Sequence, residues 1–164
     1  MSIPKEILTA FIAMMPLAEL RGAIPVAIGI YHLHPLSALF WAVLGNIIPI
    51  FFILAAFERL ADPLTKRFSL LNRFLNWLFE RTRRKHSASF ERWGALALII
   101  FVAIPLPMTG AWSGAVAAFV FGIPYKKALL YIFTGVFLAG LIVTAISLGV
   151  VNLGGLNAII LPQR

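Results

Sequence analysis

Met14-Met15-Pro16-Leu17-Ala18-Glu19-Leu20-Arg21-Gly22-Ala23-Ile24-Pro25 sits in the middle of an apolar tract that runs from Ile7 to Ile30. The architecture turns on whether this segment continues as helix. Two prolines remove backbone donors and push their predecessors out of the α region, and two opposite charges share the same few residues, so an unbroken helix is not expected. A second tract, Gly94 to Gly122, is broken in the same manner by Ile104-Pro105-Leu106-Pro107-Met108-Thr109-Gly110-Ala111-Trp112-Ser113-Gly114. Each broken tract is followed by a clean one, Leu36 to Phe57 and Ala128 to Val151. The clean tracts exceed the roughly 20 helical residues that cross a hydrocarbon core of about 30 Å.

The composition agrees with lipid as the main solvent. The chain of 164 residues is 61% hydrophobic and 12% charged, with a mean hydropathy of +0.95, far from the roughly 25% charged usage of soluble domains. A net charge of +8 raises the question of nucleic acid, but nine of the fourteen Lys and Arg lie between Arg59 and Arg92. Basic residues beside spans are retained in the cytoplasm and favour anionic headgroups, so this cluster reads as a topogenic signal. Nucleic acid is not an expected partner; membrane lipid is. The N-terminal tract is a poor signal peptide, since Lys5 is followed at once by Glu6 and the apolar run continues through Glu19 and Arg21.

Charge also suggests the topology. If each broken tract enters and leaves on one face as a re-entrant hairpin, Leu36 to Phe57 crosses inward to the basic segment, and Lys126 and Lys127 emerge in the cytoplasm. Eleven basic residues then lie inside, against Lys5 and Arg164 outside. With both tracts spanning, the bias weakens. The expected fold is therefore an all-α integral membrane protein of two inverted repeats, each a re-entrant helical hairpin plus a transmembrane helix. Residues 1–57 form the first repeat, 58–93 a basic cytoplasmic segment, 94–151 the second repeat and 152–164 a C-terminal tail. Within the basic segment, Leu64, Phe68, Leu71, Phe74, Leu75 and Leu78 recur at helical spacing, which predicts an interfacial amphipathic helix over Pro63 to Arg81 with Trp77 near the headgroups.

Glu19 and Arg21 are the sharpest chemical feature. A charge at mid-membrane costs about 2.5–3.5 kcal/mol on insertion scales and persists where it is paired, hydrated or functional. Two residues apart they point to nearly opposite faces of a helix, so pairing requires an unwound backbone, which Pro16, Gly22 and Pro25 permit. Outgoing half-helices from Ala23 and from Ala111 would aim N–H groups at the tips, where Arg21 adds positive charge and Thr109 and Ser113 add neutral donors. Incoming half-helices would bring carbonyl ends near Leu17 and Ile104, suited to a cation or to a proton-bearing Glu19. The candidate binding residues are Glu19, Arg21, Gly22, Pro25, Asn46, Pro105, Pro107, Thr109, Gly110 and Ser113. Gly110 and Gly114 also make a GxxxG pattern that close helix packing explains, and Asn46 also reads as an interhelical hydrogen bond. His32 and His34 lack a third ligand nearby and read as loop residues. Without cysteine, a Ser/His/Asp set, a phosphate-binding glycine loop or paired carboxylates, no enzyme, metal or cofactor is expected.

Three segments in order, Pro16 to Pro25, Leu44-Gly45-Asn46-Ile47-Ile48-Pro49 and Pro105 to Gly114, resemble the putative small multidrug export protein family of bacteria and archaea. Met108 departs from that pattern, standing where a small residue is usual. The layout is also similar to the DedA superfamily, whose opposed re-entrant hairpins serve polyprenyl-phosphate and phospholipid translocators. The resemblance implies a multi-pass transporter of the inner membrane, secondary and proton-coupled, with its site between opposed re-entrant loops, Glu19 carrying a proton or cation and Arg21 anchoring an anion. A small-molecule or lipid substrate follows. The competing readings are a lipid flippase or scramblase using the same cavity, and a non-transporting membrane scaffold. With few spans per chain, a homodimer is expected.

Overall fold

The computed structural model describes residues 3–67, 88–106 and 109–160, and among these the chain is helical without a strand. Contacts divide it into two units, residues 1–46 with 137–164, and residues 47–136.

The first unit begins with α1, Lys5–Met14. It stops where the sequence requires: Met15, ahead of Pro16, is extended with φ −71° and ψ 133°. A compact turn over 15–18 leads into α2, Glu19–Gly29. The Glu19 N–H donates to the Met15 carbonyl at 2.9 Å and the Gly22 N–H to the Ala18 carbonyl at 2.9 Å, so the turn closes on α2. The two helices form an antiparallel hairpin. Lys5, at the start of α1, donates its Nζ to the carbonyl of Tyr31, just past the end of α2, at 3.0 Å.

A short loop then reverses the chain into α3, Pro35–Arg67. His32 takes the left-handed backbone there, φ 56°, and His34 caps α3 by accepting the Leu36 N–H on Nδ1 at 3.3 Å. Among the described residues no group of three or more His, Cys, Asp or Glu is placed to hold a metal. Close backbone approach builds the core of this unit. A Cβ on Gly45 would lie 2.2 Å from the carbonyl oxygen of Ala10, so α1 and α3 touch there nearly main chain to main chain. A Cβ on Gly140 would meet Leu39 at 2.6 Å, Val43 at 3.4 Å and Ile24 at 3.9 Å.

The second unit holds α4, Ala88–Ala103, and α5, Ala111–Val120, followed by α6, Tyr125–Ile160, which continues into the first unit. Pro105 ends the α4 segment: the Leu106 N–H reaches the Ile104 carbonyl at 2.9 Å across a γ-turn centred on the proline. Small residues again set the spacing. A Cβ on Gly114 would come within 2.6 Å of Val102, and one on Gly135 within 2.7 Å of Val102 and 2.9 Å of the Ile99 carbonyl. α5 ends in a Schellman motif, with Gly122 at φ 65°, its N–H on the Phe119 carbonyl and the Ile123 N–H on the Ala118 carbonyl. Pro124 then starts the turn into α6.

The two clean tracts are thus single long helices, and both broken tracts are pairs of shorter ones. The outgoing helix of the first tract begins at Glu19 and not at Ala23, because the Pro16 turn is tight enough for its carbonyls to start the helix four residues earlier. Of the expected amphipathic helix, residues 63–67 belong to α3; the remainder, with Trp77, lies outside the described residues.

Candidate functional site

The early start of α2 puts Glu19 and Arg21 in its first turn. In a regular helix, residues two apart are separated by roughly 200° around the axis and cannot pair. Here Glu19 adopts φ 47°, a left-handed conformation that a non-glycine residue enters at a cost of about 1–2 kcal/mol. The departure from helical geometry brings the Arg21 guanidinium Nη2 to 3.7 Å from the Glu19 Oε2. That distance is an ion pair and not a short hydrogen bond. The Glu19 side chain is 9% exposed and that of Arg21 21%. Strained backbone coincides with a buried charge, a coincidence found mainly where geometry serves function.

The surroundings of the pair are fixed by neighbours that do not carry charge. A Cβ on Gly22 would sit 3.1 Å from the Ala18 Cβ, which keeps this turn small. Pro25, inside α2 and exposed, has no N–H to offer the Arg21 carbonyl, its i−4 position. The N-terminus of α2 offers fewer donors to an anion than a bare helix start, because the Glu19 and Gly22 N–H groups are taken by turn carbonyls. A carboxylate in that first turn itself complements the helix dipole.

Asn46 is fully buried on α3, in the stripe Leu39, Val43, Asn46 and Ile50. Neither atom of its amide has a hydrogen-bond partner. The interhelical hydrogen bond expected of it is not formed to any described residue.

In the second unit, Thr109, Gly110 and Ser113 are gathered at one tip. The Thr109 hydroxyl lies 2.8 Å from the Ile104 carbonyl and 2.9 Å from that of Leu106, so its single proton serves the end of α4. Ser113 donates weakly to the Gly110 carbonyl at 3.3 Å. Pro105 is half-buried in the γ-turn, and Pro107 lies outside the described residues. The first tip is therefore charged and the second neutral. Gly114 serves close packing on Val102, one of the two readings of the GxxxG pattern. Lys5 as the clasp of the first hairpin was not anticipated; its position at the mouth of a tract that turns back on itself is the signal that could have suggested it.

Among the described residues, two helices are long and apolar enough to cross a membrane, over Pro35–Arg59 and Tyr125–Val150. Only 44% and 33% of their apolar windows are buried, unlike the core helix of a soluble protein. Phe40, Phe52, Leu130 and Val150 are each at least 60% exposed, an apolar surface that water would not tolerate. The fold is that of an all-α membrane protein. Residues 19–142 match the family described as putative small multi-drug export protein, and the chain belongs to that family. Among curated proteins and solved structures, none matches.

Proposed function

We propose that this chain is a secondary, proton-coupled transporter of the inner membrane, in which the Glu19–Arg21 pair on a re-entrant hairpin is the working polar element. The observation that carries the reading is an ion pair, nearly buried at Glu19 and partly exposed at Arg21, held by a strained residue at the tip of a hairpin too short to span. Arms of 10 and 11 residues extend about 15–17 Å, half of a 30 Å hydrocarbon core. Gly45, against Ala10, stands ten residues into α3, so the tip reaches about 20 Å along that helix. With α3 crossing the bilayer, Glu19 and Arg21 fall inside the hydrocarbon, where unused charges are rare. Glu19 carries the proton and a cationic cargo in alternation, and Arg21 holds the carboxylate when neither is bound.

The inverted repeat belongs to the same proposal. Each unit contains one hairpin, the N-terminal part of the long helix that follows it and the C-terminal part of the other long helix, the inventory that two inverted repeats exchanging their second halves would have. Two copies together make the functional unit.

The test is flux in proteoliposomes of the purified chain: ethidium movement driven by a pH gradient, wild type against Glu19→Gln and Arg21→Ala. Gradient-driven flux lost in Glu19→Gln supports the proposal. No ethidium flux, with a fluorescent polyprenyl phosphate flipped in an Arg21-dependent manner, would replace the exporter with a lipid translocator. Folded protein that moves neither would leave a scaffold.

A further inference from the structure

We infer that Asn46 is a binding residue for cargo, and that it selects a neutral group which both donates and accepts hydrogen bonds, such as a carboxamide or hydroxyl. This deepens the transport reading and rests on it.

The inference begins with the amide. Asn46 is 0% exposed, and both Oδ1 and Nδ2 lack a hydrogen-bond partner. Leaving such a group unsatisfied costs about 1–3 kcal/mol per site, and a native core rarely retains that cost without use. The backbone adds to it. Pro49 has no N–H, so the carbonyl of Gly45 lacks its i+4 helical donor one residue away from Asn46. An acceptor and a donor–acceptor pair therefore share one buried stretch of α3.

Register puts this stretch beside the charged pair in depth. Ile24 of α2 meets the same Gly140 position as Leu39 and Val43 of α3. α2 and α3 run antiparallel through the short loop between them. Counting five residues from Ile24 back to Glu19 advances the level on α3 from the Leu39–Val43 turn to the neighbourhood of Asn46, within about one helical turn. Asn46 also lies near the α3 face of Val43, three residues further on, the face that meets Gly140 of α6, where Ile24 of α2 also converges.

The inventory of the amide decides the ligand class. A bare cation would satisfy Oδ1 and leave Nδ2 unpaired; a phosphate would satisfy Nδ2 and leave Oδ1 unpaired. A carboxamide or hydroxyl satisfies both. Glu19 and Arg21 then handle charge, and Asn46 reads the neutral part of the same molecule. Sites built to hydrogen-bond a polar group reject analogues that lack it far more strongly than apolar pockets reject an extra methylene.

The experiment uses the full chain in detergent. Because it has no cysteine, Asn46→Cys provides a single thiol, which methyl methanethiosulfonate should modify in the folded protein. Calorimetric titration then compares benzamide with acetophenone, which keeps the carbonyl but replaces the NH2 by methyl. Wild type is expected to prefer benzamide by roughly tenfold, the worth of one hydrogen bond, and Asn46→Leu to lose the preference while melting close to wild type; Asn46→Ala serves if the leucine does not fold. An inert Asn46→Cys, equal affinities in wild type, or a preference kept without the amide would overturn the inference. These readouts need no flux. Selective binding without transport refutes only the transporter, and transport without selectivity refutes only the role of Asn46.

Discussion

Glu19 combines two costs in one residue, a left-handed backbone at φ 47° and a nearly buried carboxylate, and Arg21 offsets the second of them. Removing only the guanidinium should therefore be worse than removing both charges. Arg21→Leu is expected to destabilise the purified protein by about 1–3 kcal/mol, less than a fully buried pair would lose because Arg21 keeps some exposure. Adding Glu19→Gln to that variant should restore at least about half of the loss, read from melting in detergent as a double-mutant cycle. Additive losses would show that the two side chains are not coupled. The pair was legible in the sequence as two opposite charges in an apolar tract, and so was its need for an unwound backbone. The residue that unwinds was not legible. Glycine and proline were the natural candidates, yet the left-handed turn falls on Glu19 itself because Pro16 fixes the preceding turn and Gly22 is absorbed into α2.

Elements followed from apolar length and proline position more reliably than from capping. The clean tracts became α3 and α6, and Pro16 and Pro105 ended α1 and α4 where the loss of backbone donors requires. The start of α2 was misplaced because no Ser, Thr, Asp or Asn marks it; its first bonds come from the turn carbonyls of Met15 and Ala18. Close contacts between elements were legible only as glycines without partners. At Gly45 the contact is main chain to main chain, so neither helix can yield by a side-chain rotation. Gly45→Ala should lower stability by about 1–3 kcal/mol despite its better helix propensity. Gly149→Ala, with nothing within 4 Å of the added Cβ, should be neutral or stabilising by up to about 1 kcal/mol. Thermal melting of the two variants separates packing from propensity; similar effects at both sites would contradict the α1–α3 contact.

On the scale of the whole molecule, charge and hydropathy were enough to indicate a membrane protein, and three ordered motifs were enough to indicate its family. The division into units that mix the two halves of the chain was not visible, because it depends on which half of each long helix packs with which hairpin. Orientation has its own test. In this cysteine-free chain, the proposed topology, with eleven basic residues in the cytoplasm, predicts that Lys126→Cys reacts with an impermeant thiol reagent applied to inverted vesicles and stays protected in intact cells. Reaction from the cell exterior alone would make the second broken tract a single broken span. Depth matters most, since the charged pair is a working element only if its hairpin carries it into the hydrocarbon. Leu17, fully exposed at the first tip, is the place to measure it. A nitroxide on Leu17→Cys in lipid bilayers should report high oxygen and low nickel-chelate collision rates, at about 10 Å or more below the headgroups; values typical of the headgroup region would contradict the account.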